Sequence, residues 1–223
     1  LKHRIPEHRV YVEPFFGGGS FFFVKEEAPL SILGDVTAKT IRFHLAVRNG
    51  ALRACRGGVV AGKAALARGM KPGASACAML AASGSAYHGM KSYSPTEARR
   101  NGRHFGRAKL LHLTEYEGML RRAFLTRGDF ARTVRLGARK GGRDAFYFLD
   151  PPWPGVGCYS RKYERIGGQD GSSSTCTPEH VRRVMERVAG KVWITYNDHP
   201  AVRGAFCGRA GRSGKWRCYH MPM

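Results

Sequence analysis

The sequence predicts an α/β fold in which a basic lobe is inserted into a mostly parallel sheet. Four short β-prone runs lie at 9–12, 30–33, 145–149 and 191–196, with helix-type patterns or capping signals between them. Strands that alternate with helices pair in parallel through right-handed crossover connections. The middle of the chain interrupts this alternation, because it is rich in Gly, Ala and Arg. With 223 residues, the chain is long enough for one domain with one such lobe.

Capping residues mark where helices begin between these strands. Ser20 can cap a helix after the first strand, and Thr37 can cap one after the second. In the last third of the chain, Thr177 followed by Pro178 marks another helix N-terminus. The run 145–149 is apolar enough for a strand that is buried on both faces, as central strands of parallel sheets are.

The inserted lobe is predicted over 51–127, between a first segment of the sheet domain, 1–50, and a second segment, 128–223. Its one clear helix pattern runs from about 107 to 126, where large apolar residues recur at helical spacing up to Phe124. We therefore expect a helix immediately before the sheet domain resumes.

Net charge is the most unusual bulk property of the chain. It has 38 Lys and Arg against 16 Asp and Glu, which gives a formal net charge of +22. The excess is uneven, since residues 50–143 hold 19 basic and four acidic side chains. Such an excess indicates a polyanionic partner, and nucleic acid is the first expectation. The alternative is a basic surface that serves only solubility.

Membrane-spanning and metal-binding classes are excluded by what the sequence lacks. No apolar stretch reaches the roughly 18 residues of a membrane helix. The chain starts without a signal-peptide pattern, and Leu1 in place of Met suggests a fragment or a processed chain. Its histidines and cysteines form no metal-ligand motif. We expect a cytoplasmic protein, favoured as a monomer, whose six cysteines are reduced thiols: Cys55, Cys77, Cys158, Cys176, Cys207 and Cys218.

Glycine and acidic residues follow the first two predicted strands. Residues 13–19 (Glu-Pro-Phe-Phe-Gly-Gly-Gly) form a turn in which glycine lets the backbone come close to a bound molecule. The pattern differs from the dinucleotide fingerprint, because Phe22 stands at the place of the third glycine. Asp35 follows Gly17 by 18 residues, close to the offset at which a carboxylate accepts ribose hydroxyls. Each signal alone is equally explained by a turn; together they predict a nucleoside-containing cofactor.

The strongest signal is the loop Asp150-Pro151-Pro152-Trp153 after the buried strand. Two consecutive prolines stiffen the backbone and fix the directions of its carbonyl groups. Asp150 and the Pro151 carbonyl can accept the two hydrogens of an exocyclic amine while Trp153 stacks on the base. Two acceptors that pull the nitrogen toward tetrahedral geometry expose its lone pair for reaction. The alternative is a rigid loop with a surface tryptophan.

The order of these motifs resembles a known family of enzymes. Tyr-Val-Glu-Pro-Phe-Phe-Gly-Gly-Gly-Ser at 11–20, Gly-Asp-Val at 34–36 and Asp-Pro-Pro-Trp at 150–153 are similar to motifs of the Dam-class N6-adenine-specific DNA methyltransferases. The resemblance extends from about Ile5 to Phe206. It implies a Rossmann-like, S-adenosylmethionine-dependent methyltransferase sheet, and it identifies the inserted lobe as a target-recognition region.

Roles for individual residues follow from the resemblance. It implies that Asp35 holds the ribose of S-adenosylmethionine and that Val36 packs on the adenine of this cofactor. The residues implied on the methionine side of the pocket are Tyr11, Glu13, Pro14, Phe15, Gly17 and Gly19. Those implied at the far edge of the pocket are Asp129 and Phe130. Those implied to hold the flipped target adenine beside the cofactor are Asp150, Pro151, Pro152 and Trp153.

Two features of the chain depart from the family pattern. The family's Gly-Gly-Lys segment, which contributes a lysine to the cofactor site, is not in the printed sequence. Trp153 stands where most members have tyrosine.

Duplex DNA is the predicted partner, with the target adenine turned out of the helix. The candidate phosphate contacts are five basic residues within the lobe: Lys91, Arg99, Arg100, Arg103 and Arg107. Two alternatives remain open: an RNA N6-adenine methyltransferase, which also has an Asp-Pro-Pro-Trp loop, and a non-catalytic nucleic-acid-binding protein on a methyltransferase fold.

Overall fold

Five parallel strands form one sheet in the computed structural model, which describes residues 5–50, 113–155, 176–208 and 212–220. The strands are β1 (Val10–Glu13), β2 (Leu30–Asp35), β3 (Ala123–Arg127), β4 (Ala145–Leu149) and β5 (Lys191–Ile194). Their order across the sheet is β3-β2-β1-β4-β5, which is compatible with a Rossmann-like fold. A separate antiparallel hairpin pairs β6 (Arg212–Ser213) with β7 (Trp216–Arg217). The predicted α/β fold with a parallel sheet is confirmed.

Helices pack on both faces of the sheet. One face carries α3 (Phe130–Gly141) and α4 (Pro178–Met185), and the other carries α1 (Ala38–Arg48) and α2 (Leu113–Arg121). A short helix, α5 (Pro200–Val202), continues as the π-helical segment Arg203–Cys207, which packs against α4.

Successive side chains of β1 point to opposite faces of the sheet and enter two different apolar cores. Val10 and Val12 point to the face covered by α3, whereas Tyr11 points to the face covered by α1. Glu13 shares the face of Tyr11, and all four β1 residues are buried. A carboxyl group at the end of β1 is therefore held in the interior.

Close packing of α3 on β2 requires glycine at position 34. A Cβ atom on Gly34 would lie 2.2 Å from Oγ1 of Thr133, a buried residue of α3. The Gly128 amide also donates to the Asp35 carbonyl at 3.1 Å. The start of α3 thus lies beside the end of β2.

Most predicted elements are present, with strand ends shifted by no more than two residues. Thr177 caps α4 as predicted, because its side chain accepts a hydrogen bond from the His180 amide at 3.2 Å. Thr37 stands at the predicted N-cap of α1, but its side chain makes no capping hydrogen bond.

The predicted helix after Ser20 is wrong, since residues 20–24 form hydrogen-bonded turns. Three consecutive phenylalanines point to three different neighbours there. Phe21 stacks on Phe148, Phe22 packs against Phe16, and Phe23 contacts Tyr116, with ring centroids 4.0, 5.7 and 4.1 Å apart, respectively. These ring contacts anchor the turn segment to the core.

The predicted helix from 107 to 126 is also corrected. Helix α2 ends at Arg121, and β3 follows as an edge strand paired with β2. Ala123 is buried while Phe124 is 58% exposed, so the first two residues of β3 face opposite sides of the sheet. Main-chain pairing with β2 outweighs a helical spacing of apolar residues that ends at Phe124. Residues 113–127 therefore pack with the sheet, and the rest of the predicted lobe, 51–112, lies outside the described residues.

One cysteine pair corrects the expectation of reduced thiols. Cys207 and Cys218 form a disulfide with their Cα atoms 5.4 Å apart. The hairpin of β6 and β7 reverses the chain between them, a proximity that their separation of 11 residues does not reveal. Cys176 is a free thiol, and the other three cysteines lie outside the described residues.

Candidate active site at the carboxyl edge of the sheet

The three sequence motifs meet at one edge of the sheet. Strand β1 lies between β2 and β4, so the loops that follow these three strands are neighbours. The chain leaves β1 toward β2, while β4 lies on the other side of β1, which makes this edge a topological switch point. Ligands of open α/β sheets bind at such points.

The glycine loop, residues 14–19, is held in a tight turn after β1. The Phe16 amide donates to the Gly34 carbonyl at 2.8 Å, and the Gly19 amide donates to the Phe16 carbonyl at 2.7 Å. Gly19 has φ +70°, and a Cβ atom there would lie 2.7 Å from ring carbons of Phe16. Gly17 also has a positive φ, +48°. The loop therefore needs glycine for both backbone conformation and packing.

Asp35, at the end of β2, connects the glycine loop to α1. Its Oδ2 accepts the Gly17 amide at 3.0 Å, and its Oδ1 accepts the Thr37 amide at 2.6 Å. Each carboxylate oxygen thus has one backbone partner. The predicted ribose contact stays a prediction.

His44 of α1 contacts the glycine loop through a hydrogen bond and a ring contact. Its Nε2 lies 2.8 Å from the Gly17 carbonyl oxygen, and its ring lies 4.3 Å from that of Phe16. Burial lowers the pKa of His44 to about 4, so the ring is neutral and Nε2–H donates to the carbonyl. Sequence reasoning did not predict this contact, since a histidine within a helix does not by itself indicate one.

A buried polar cluster lies at the end of β1. Glu13 is 3% exposed and accepts a hydrogen bond from the Tyr11 hydroxyl at 2.6 Å. Burial raises the pKa of Glu13 to about 8; Tyr11 and Lys25 oppose this shift, and the Asp150 carboxylate adds to it. Lys25 Nζ lies 4.1 Å above the Tyr11 ring, and burial lowers the pKa of this lysine to about 8. Sequence reasoning did not single out Lys25.

The Asp150 loop follows β4 directly and is held by residues that follow β5. Asp150 Oδ1 accepts hydrogen bonds from the Thr195 hydroxyl at 2.6 Å and from the Trp153 indole at 3.2 Å. The Asn197 side chain donates to the Pro154 carbonyl at 3.0 Å. Neither Thr195 nor Asn197 was predicted as a site residue.

The two prolines of this loop are more buried than the residues that flank them. Pro151 is buried and Pro152 half-buried, whereas Asp150 is exposed and Trp153 is 37% exposed. The prolines therefore fix the loop to the fold, while the carboxylate and the indole face outward.

The remaining predicted pocket residues have structural partners. Asp129 caps α3 by accepting the Ala131 amide at 2.8 Å. Phe130 is buried, with its ring 5.1 Å from that of Phe15. Pro14 is buried and Val36 half-buried. Their contacts with a cofactor stay predictions.

Some predictions have no structural test in the described part of the chain. The phosphate contacts predicted at Lys91, Arg99, Arg100, Arg103 and Arg107 lie outside it. Within it, no group of His, Cys, Asp and Glu is arranged to hold a metal ion. The described helices also include none that is long and apolar enough to cross a membrane.

Comparison with known proteins does not assign the chain to a family. No family model and no curated protein matches the chain.

Proposed function

We propose that the chain is an S-adenosylmethionine-dependent DNA methyltransferase that acts on N6 of adenine. One observation carries this proposal: at the switch point of the sheet, a carboxylate anchored through one oxygen lies beside an exposed indole ring. Asp150 Oδ2 makes no hydrogen bond with the described residues. An acceptor beside an aromatic face suits a flat base that carries an amino group.

The glycine loop and Asp35 fit the implied cofactor. Gly17 and Gly18 are exposed, and a Cβ atom on either would meet nothing nearer than 3.9 Å, so the backbone is open to close approach. Each oxygen of Asp35 retains a lone pair beside its backbone hydrogen bond and can accept a ribose hydroxyl. When bound, the cofactor would supply a methyl group from a positively charged sulfur; the bond from this methyl group to sulfur would break as its bond to nitrogen forms, leaving a neutral thioether.

Asp150 and Trp153 position the target base and its amino group. Trp153 stacks on the base and fixes its plane. Asp150 Oδ2 accepts one amine hydrogen, and the Pro151 carbonyl is the proposed acceptor for the other. With both hydrogens held, the nitrogen lone pair is directed toward the methyl group. The exposed carboxylate can then pass the surplus proton of the nitrogen to solvent.

A charge of +22 supports DNA as the substrate. Turning a base out of the duplex costs a few kcal/mol of stacking and pairing. Cationic side chains offset this cost by binding phosphates and releasing counterions.

Methyl transfer to three nucleic acids tests the proposal. Labelled S-adenosylmethionine is incubated with the chain and duplex DNA, single-stranded DNA or RNA, and the methylated nucleoside is identified after digestion. We expect N6-methyladenine in duplex DNA. We also expect Asp150→Ala to lower the rate by about a hundredfold to a thousandfold, the usual effect of losing a preorganised transition-state hydrogen bond.

Asp144→Ala is the matched control, because Asp144 is an exposed aspartate at the opposite end of β4. It should keep the activity of the parent chain. Transfer to RNA alone would replace DNA by RNA as the substrate. No transfer to any of the three nucleic acids would contradict the proposal.

A further inference from the structure

Thr195 links the end of β5 to the end of β4. Its amide donates to the Leu149 carbonyl at 2.9 Å, which extends the pairing of β4 with β5 by one residue. Its hydroxyl oxygen lies 2.6 Å from Asp150 Oδ1 and 3.3 Å from the Leu149 carbonyl oxygen, so its one hydrogen is donated over the shorter distance, to Asp150. Because the Thr195 backbone is fixed by the sheet, its hydroxyl is a fixed donor for a carboxylate that is otherwise exposed.

Both hydrogen-bonding positions of Asp150 Oδ1 are occupied. A carboxylate oxygen offers two lone pairs, and here Thr195 takes one while the Trp153 indole takes the other. The indole hydrogen bond also holds the nitrogen edge of the Trp153 ring next to the carboxylate. Only Oδ2 is left for a substrate within the described site.

We propose that Thr195 is a positioning residue for methyl transfer and that, with the Trp153 indole, it reserves Oδ2 of Asp150 for the amine of the target base. The inference rests on the proposed function. An anchored carboxylate meets the amine without first losing rotational freedom, which is the advantage of preorganised groups.

The arrangement also sets a chemical requirement for the base. Oδ2 is an acceptor, so a base that presents an N–H hydrogen is held there. A keto oxygen at the same position would place lone pairs against lone pairs and leave both acceptors unpaired. Thr195 and Trp153 thereby favour an amino purine over its keto counterpart.

Two substitutions at position 195 test the inference. Thr195→Val keeps the shape and removes the hydroxyl, and Thr195→Ser restores a hydroxyl. We expect Thr195→Val to lower kcat about tenfold to a hundredfold, the range that misplacement of a reacting group produces. Cofactor Kd and the unfolding midpoint should stay near those of the parent chain, and Thr195→Ser should recover most of kcat. Thr126→Val is the control, since Thr126 is a β3 threonine whose hydroxyl bonds Thr133 instead.

The indole N–H signal of Trp153 in NMR provides a readout that needs no activity. It is assigned by its loss in Trp153→Phe, and Thr195→Val should shift it, because the indole then faces an oxygen with one donor fewer. A parent chain without methyl transfer contradicts the proposed function, whereas the indole signal still tests the anchoring of Asp150. Parent-like kcat or an unshifted indole signal in Thr195→Val would overturn the inference, as would a serine variant as impaired as the valine variant.

Discussion

Asp35 and Asp150 lie at the same edge of the sheet, on either side of the end of β1, and use their carboxylates differently. Asp35 binds one backbone amide with each oxygen, those of Gly17 and Thr37. Asp150 binds two side-chain donors with one oxygen and leaves the other free in the described site. The same chemical group thus shapes a loop in one place and presents an acceptor in the other.

Because of this difference, substitutions in the two loops should have different effects. The glycine loop is built from main-chain hydrogen bonds and buried rings, so changes in it should alter folding stability or cofactor affinity. The Asp150 loop ends in exposed groups, so changes there should alter the rate of transfer and leave stability nearly unchanged.

Glu13→Gln should have the largest effect on stability. Burial raises the pKa of Glu13 from 4.5 to about 8, so the folded chain keeps a proton that the unfolded chain loses. The parent chain therefore loses stability as pH rises from about 4.5 to about 8, and glutamine removes this loss. We expect the variant to gain on the order of 3 kcal/mol relative to the parent between pH 5 and pH 8, measured by urea unfolding.

Glu7→Gln, at an exposed glutamate, is the control for that experiment. It should leave the pH profile of unfolding unchanged. A constant difference between Glu13→Gln and the parent across this pH range would show that Glu13 is ionised in the folded chain.

Gly19→Ala should lower the free energy of unfolding by about 2 to 3 kcal/mol. Alanine is strained at φ +70°, and its Cβ atom would lie 2.7 Å from the buried Phe16 ring. Gly18→Ala is the matched control, because its Cβ atom would have no neighbour nearer than 3.9 Å. Equal unfolding midpoints of the two variants in guanidinium chloride would contradict the described loop.

Asp35→Ala should have the smallest effect, about tenfold on the Kd for S-adenosylmethionine. A ribose contact is made equally in the ground state and the transition state, so kcat should change little. Isothermal titration calorimetry measures the Kd. An unchanged Kd would show that Asp35 has only a structural role, as the acceptor for the Gly17 and Thr37 amides.

The sequence predicts those parts of the site that depend on a single strand end. Asp35 and Asp150 each end or follow a recognisable strand, so their placement at one edge follows from a parallel sheet. Thr195 and His44 act through partners 45 and 27 residues away in the chain. Those contacts depend on strand order and helix packing, which no local pattern contains. The prediction of a helix up to residue 126 was wrong for a related reason, since β3 forms by pairing with β2, which is distant in the sequence.

Asp150→Asn, measured in a single turnover with saturating cofactor, tests the central claim most directly. The asparagine carbonyl would take the place of Oδ1 beside Thr195 and Trp153, so that an NH₂ group would face the base amine where Oδ2 now stands. We expect the rate of methyl transfer to fall by about a hundredfold to a thousandfold, with an unchanged Kd for S-adenosylmethionine and an unchanged unfolding midpoint. A rate within a few-fold of the parent chain would contradict the assignment of Asp150 as the acceptor for the target amine.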